Sequence, residues 1–208
     1  MLHIGVTGGI GSGKSTFLRV WERHGVPVVY ADDLAKELMV SDNSLRKDIA
    51  TQFGSEAYHP DGSLNRAFLA RAAFTQGRID ELNRLVHPVV YRELDARKKE
   101  AEKEDALLFA HESALLLHTD RSDLCDVVIL LVSPQEERVR RVTERDNVPP
   151  EEVNSRIKRQ PDFDKLAAKA DLVIHNDSTA DVLERKAGEL LTALQALADT
   201  GAIRNRKE

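Results

Sequence analysis

The 208-residue chain is 41% hydrophobic and 31% charged, the composition of a globular protein with one main core, and the expected organisation is one domain with an insertion. Thirty Lys plus Arg against 35 Asp plus Glu give a formal net charge of −5, which removes the electrostatic basis for non-specific DNA or RNA binding. One cysteine, Cys125, excludes an internal disulfide and a thiolate zinc cluster, and reads as a small buried hydrophobe.

The first predicted element is a strand over 2–7, rich in Val, Ile and Leu. A helical pattern over 15–24 follows, terminated by Gly25, and a second strand is predicted over 26–31. From 34 to 103 no strand is predicted. Helical segments at 66–75 and 79–103 make this stretch an inserted helical subdomain. Within it, Tyr58-His59-Pro60-Asp61-Gly62-Ser63 is dense in turn residues and suits a tight connection. Pro88 lies inside the longer helical pattern, where its missing N–H should bend the helix or start a new one. The charged run 97–105 reads as a solvated helix face.

Further strands are predicted over 106–110, 126–132 and 172–175, each too short for a buried helix. Between the last two lies an arginine-rich helical pair, 138–145 and 151–160, divided by Asn147-Val148-Pro149-Pro150. Pro150 and the two glutamates after it suit a helical first turn. A leucine-bearing helix over 180–198 and a frayed tail from Arg204 close the chain. Strands alternating with helices predict an α/β fold: a parallel five-stranded sheet covered by helices on both faces. The expected single domain, 1–208, comprises a core (1–33, 104–137 and 166–208), a helical acceptor-binding insertion (34–103) and an arginine-rich lid (138–165). The N-terminus lacks the pattern of a signal peptide, and no run has the eighteen or so apolar residues of a membrane span. The expectation is a cytoplasmic protein with no membrane or nucleic-acid partner, and a monomer.

Gly8-Gly9-Ile10-Gly11-Ser12-Gly13-Lys14-Ser15 fits the pattern G-x-x-x-x-G-K-[ST], and it follows a predicted strand and opens a predicted helix, the context this motif requires. Glycines let backbone N–H groups approach phosphates closely, and the helix N-terminus adds positive potential. Lys14 is expected on the β- and γ-phosphates, and the Ser15 hydroxyl on Mg²⁺. Gly9, Gly11, Ser12, Gly13, Lys14, Ser15 and Thr16 therefore form the expected nucleotide site. The loop alone does not give the use of the nucleotide, since kinases, switches, transporters and helicases share it.

In a parallel sheet the carboxyl ends of the strands face one edge, so the end of the 26–31 run opens near the loop and carries Asp32 and Asp33. Asp32 there can orient an acceptor hydroxyl and take its proton; two aspartates at a helix start also serve as caps. Glu112 is a further acid at this edge, able to hold a metal-bound water or a substrate group, or to be a plain strand-end acid. Arg138, Arg141 and Arg145 share a helix face by their spacing, with Arg156 and Arg159 in the next helix. Arg141 and Arg145 are the candidates to meet charge on the migrating phosphoryl group.

With these residues in view, the chain resembles the dephospho-coenzyme A kinase family over nearly its whole length. The stretch from Gly5 to Thr16 is similar to that family's loop, and Tyr30-Ala31-Asp32 occupies its Asp-Ala-Asp position, whose last aspartate is the expected base. Asp61-Gly62-Ser63-Leu64-Asn65-Arg66, with Leu69 and Phe74, resembles its insertion signature. Leu82-Asn83, His87-Pro88, Arg145-Asp146, Arg156-Ile157, Gln160, Lys165, Ala170-Asp171 and Asn176 match further family positions.

The resemblance implies ATP-dependent phosphorylation of the ribose 3′-hydroxyl of dephospho-coenzyme A, with ATP and Mg²⁺ required. It places Thr7 facing the phosphates, Asn176 and Arg145 on the ATP side, and Asn65, Arg66 and His87 on the acceptor side. From the residues alone, His87 reads as a packing or capping group, and Thr7 as a hydroxyl bonded to backbone. Three departures stand out: Tyr30 replaces the first aspartate, Ser113-Ala114-Leu115-Leu116-Leu117 replaces a segment ending in glutamate, and Leu131 replaces a fourth-strand aspartate. Two other classes remain open, a kinase for another small hydroxyl acceptor and a nucleotide-dependent switch. The chain has no Asn-Lys-x-Asp guanine-recognition sequence, and a switch needs no acceptor subdomain.

Overall fold

The computed structural model describes residues 1–118 and 124–200; the tail from Arg204 lies outside them. Five strands, β1 (Leu2–Gly8), β2 (Val28–Tyr30), β3 (Leu108–Glu112), β4 (Val127–Val132) and β5 (Leu172–His175), form one sheet in the order β2-β3-β1-β4-β5. The β1–β3, β1–β4 and β4–β5 pairings are parallel. All seven residues of β1 are buried, as a central strand covered on both faces requires, and this suits its mainly apolar sequence.

Two strands differ from expectation by more than a single terminal residue. β2 is shorter than the predicted 26–31, because Ala31 already begins the next helix and Pro27 has no N–H for a ladder, although its carbonyl accepts from Ala110 N at 3.0 Å. β3 runs two residues further than predicted and starts two later. His111 and Glu112 look like a polar strand end in the sequence, yet both are buried and paired in register with Gly5 and Val6.

The chain folds as two compact units, Met1–Val29 with Ala101–Glu208, and Tyr30–Glu100. In the first, α1 (Lys14–Arg23) buries Phe17, Leu18, Val20 and Trp21, and α9 (Ala180–Thr200) buries Leu183, Ala187, Leu191 and Leu194 at helical spacing. Trp21 Nε1 donates to the Ala187 carbonyl at 2.9 Å, joining the two helices. Gly25, at φ 80°, ends α1 as expected. On the sheet, Leu116, Leu117, Cys125, Val128, Leu130 and Phe163 form a further apolar cluster. The arginine-rich segment folds as α6 (Gln135–Asp146), α7 (Pro150–Lys158) and α8 (Phe163–Leu166), with Pro150 in the first turn of α7.

The second unit contains α2 (Ala31–Ser41), α3 (Asn43–Phe53), α4 (Arg66–Ala70) running into a π-helical turn (Arg71–Thr75), and most of α5 (Ile79–Lys103). Leu34, Leu38, Leu45, Ile49, Phe53, Leu69, Val86, Val90 and Leu94 are among its buried residues. Pro88 lies within a continuous α5 and starts no new helix. The Asp61-Gly62 turn is tight, with Gly62 at φ 83° and His59 N bonded to the Ser63 carbonyl at 2.8 Å. Among the described residues, no helix is long and apolar enough to cross a membrane.

Candidate active site

The glycine-rich segment turns between β1 and α1, with Ser12 N bonded to the Gly9 carbonyl at 3.1 Å. Gly13 is the N-cap of α1 at φ 100°, and a Cβ there would lie 2.5 Å from Asn176 Nδ2. Gly11, at φ 77°, approaches α6 so closely that a Cβ would lie 2.6 Å from the Arg138 carbonyl oxygen. Both positions demand glycine for conformation and for space.

Lys14 turns back over this loop: its ammonium donates to the Gly8 carbonyl at 2.9 Å and the Gly9 carbonyl at 3.3 Å, and lies 3.3 Å from Glu112 Oε1. The alternatives for Glu112 narrow accordingly, since the acid is an ion-pair partner of the loop lysine. Ser15 is exposed in the first turn of α1, and Thr16 follows it half-buried. Thr7 Oγ1 and Ser12 Oγ are buried without a hydrogen-bond partner, so Thr7 is not the backbone-bonded hydroxyl that its position in a strand suggests. Orphaned buried hydroxyls beside an anion-binding loop are groups that a bound oxyanion or its metal would satisfy.

Asn176, after β5, donates from Nδ2 to the Ser12 carbonyl at 2.9 Å and so braces the loop from behind. Its own backbone carbonyl accepts from Ser133 Oγ at 2.6 Å and from Arg141 at 3.4 Å. Arg141 also reaches Ser133 Oγ at 3.0 Å and the Ser178 carbonyl at 3.2 Å. Arg145 is exposed and forked onto the Asp146 carboxylate, at 2.7 and 3.1 Å. Its guanidinium therefore stays protonated, and Asp146 is held below the usual carboxylate range chiefly by that bond.

The arginine that meets the loop is Arg138, which helical spacing groups with Arg141 and Arg145 without singling it out. Its Nε donates to the Ile10 carbonyl at 3.0 Å, and its guanidinium packs against Gly9. Gln160 completes the clamp by accepting from Ile10 N at 2.8 Å. Both contacts span well over a hundred residues of chain. Only the helical spacing of Arg138 hinted at the first, and only a family resemblance marked Gln160.

In the other unit, Asp32 lies in the first turn of α2, two residues beyond β2, and is exposed. Tyr30 is the N-cap of α2 and no side chain caps it, while Asp33 is bound to Lys36 at 2.6 Å. Asp32 makes no hydrogen bond or ion pair among the described residues, so capping does not account for it. Asn65 caps α4, its Oδ1 accepting from Phe68 N at 3.1 Å, and Arg66, the first residue of that helix, is exposed. His87 is half-buried on α5 with its ring centroid 5.8 Å from that of Tyr91.

Residues 2–181 match the family model of dephospho-CoA kinase. A dephospho-CoA kinase of Salinibacter ruber is 40% identical over 195 residues, 93% of this chain and 98% of the relative. A solved structure from Thermus thermophilus superposes with a TM-score of 0.76 at 32% identity, covering 93% of this chain and 97% of that one. The shikimate kinase of Acinetobacter baumannii, at 18% identity and a TM-score of 0.52 over 94% of each chain, shares the fold.

Proposed function

Because this chain belongs to the dephospho-CoA kinase family, we propose that it transfers the γ-phosphate of ATP to the ribose 3′-hydroxyl of dephospho-coenzyme A, giving coenzyme A and ADP. The observation that carries this reading is the phosphate-type loop with Lys14 drawn over it, in a chain matched along residues 2–181.

In this reading the loop amides from Gly9 to Thr16 and the start of α1 cradle the triphosphate, and Lys14 spreads positive charge over its β- and γ-phosphates. The orphaned hydroxyls of Thr7 and Ser12 gain phosphate oxygens as partners. The exposed Ser15 hydroxyl suits Mg²⁺, a hard cation that takes oxygen ligands, and when bound that ion neutralises charge on the phosphates. Asp32 accepts the proton of the acceptor hydroxyl as the hydroxyl oxygen bonds to the γ-phosphorus, while the bond from that phosphorus to the β–γ bridging oxygen breaks and ADP leaves. Arg141 and Arg145 supply cationic charge from the 138–165 lid, Asn176 holds the loop, and Glu112 aligns Lys14. Asn65, Arg66 and His87 bind the acceptor within the 34–103 insertion. The single buried cysteine suits the cytoplasm, where we assign the enzyme as a monomer.

The test is incubation with Mg-ATP and, separately, dephospho-coenzyme A, nucleosides, nucleoside monophosphates and gluconate, with ADP followed and products weighed. One phosphate added to dephospho-coenzyme A alone is the expected result. A different preferred acceptor would remove the substrate assignment, and no active acceptor would favour a nucleotide switch.

A further inference from the structure

His3, His111 and Cys125 come from β1, β3 and the residue two places before β4, and meet in the buried interior. One ligand-type atom from each, a ring nitrogen of each histidine and the cysteine sulfur, lies within 4.8 Å of the other two. We propose that these three side chains form a binding site for a thiophilic divalent ion of the zinc class, separate from the nucleotide site.

The hydrogen bonds orient the ligands. His3 Nδ1 lies 2.9 Å from the Leu124 carbonyl, which can only accept, so Nδ1 carries a proton and Nε2 is the ring atom left to ligate. Nε2 in turn lies 2.9 Å from His111 Nδ1. A backbone carbonyl that fixes the tautomer of a histidine is the usual outer support of a metal ligand. The Asp126 carboxylate, which accepts from His3 N at 2.8 Å, adds negative charge close by.

The spacing fits a small ion. Two imidazole nitrogens on tetrahedral zinc stand about 3.3 Å apart, and a nitrogen and a thiolate sulfur about 3.6 Å. From 2.9 Å the histidine pair has to open by a few tenths of an ångström, and the sulfur starts within 4.8 Å of both nitrogens. Binding exchanges the thiol proton for the ion and moves the His111 proton from Nδ1 to Nε2, so one proton is released per ion.

Cys125 is the sole cysteine of the chain, so a thiolate-to-metal absorption band can report this site alone. The experiment is prolonged incubation of the full chain with Co²⁺ as the spectroscopic probe, followed by Zn²⁺ competition. The expected result is one thiolate-bound Co²⁺ per chain, displaced by one equivalent of Zn²⁺. Cys125→Ser should lose the band, and His111→Gln and His3→Gln should weaken binding by about 100-fold or more, beyond the range for outer-shell partners. Absence of a thiolate band in the unaltered protein overturns the proposal, whether or not the variants fold. So does a band whose affinity is unchanged in a folded histidine variant.

Discussion

Lys14 and Glu112 form an ion pair of 3.3 Å with side chains only 12% and 9% exposed, so the loop lysine is tied to the end of β3. Breaking a buried pair leaves a charge without its counterpart, which is costlier than removing both partners. Lys14 keeps two carbonyl acceptors, which moderates the loss. Glu112→Gln should therefore cost about 2 kcal/mol in denaturant unfolding at neutral pH, within the range for buried charged groups. Adding Lys14→Met should recover at least about 1 kcal/mol. Strict additivity of the two changes would show that the pair is uncoupled.

Asp32 tests the proposed chemistry directly. Asp32→Asn keeps the shape and the exposed position in the first turn of α2 but cannot take a proton. Turnover should fall by about 10²-fold or more, with ATP affinity near that of the native enzyme. Near-native turnover would leave Asp32 without the role of base.

Arg138→Ala removes the donor to the Ile10 carbonyl while Gln160 still holds Ile10 N. A charge-assisted hydrogen bond contributes about 1.5–3 kcal/mol. Loss of the clamp should raise the ATP KM by about 10-fold or more and leave the acceptor KM little changed. An unaltered ATP KM would mean that the loop keeps its shape without this arginine.

For the acceptor, Arg66→Ala and His87→Ala should each raise the KM for dephospho-coenzyme A more than that for ATP. The opposite pattern would assign these side chains to the nucleotide. Asn65 is a poor first choice, because its alanine variant also removes the cap of α4.

Glu81 offers a pH test confined to the helical unit. The Arg78 guanidinium first, and the Gln52 amide second, lower its carboxyl from 4.5 to about 2. Because the folded value lies below the unfolded one, this stabilisation is present above pH 4.5 and is lost as pH falls towards 2. NMR titration of Glu81 should show a midpoint near 2, and Arg78→Ala should move it back up. A midpoint of 4.5 in the native chain would mean that the pair does not hold in solution.

The loop was legible because its spacing, lysine and flanking elements are all local, and the alternation of short apolar runs gave the parallel sheet. β3 was misplaced because His111 and Glu112 are polar in the sequence, whereas their partners, His3 and Lys14, lie about a hundred residues upstream. The clamp of Arg138 and Gln160 on Ile10 was hidden for the same reason. Helical periodicity shows which side chains share a face, but it does not show what that face touches.

Trp21 is the only tryptophan in the chain, and its indole N–H is bonded to Ala187 where α1 meets α9. The molecule thus contains its own optical probe, fixed to the helix that starts at the phosphate loop and absent from Tyr30–Glu100. Emission follows one unit, whereas far-ultraviolet dichroism sums the helices of both. Coincident melting curves would mean that the two units unfold as a single cooperative system. Separated curves would mean that the helical unit opens independently, and would make Tyr30–Glu100 the softer part of the molecule.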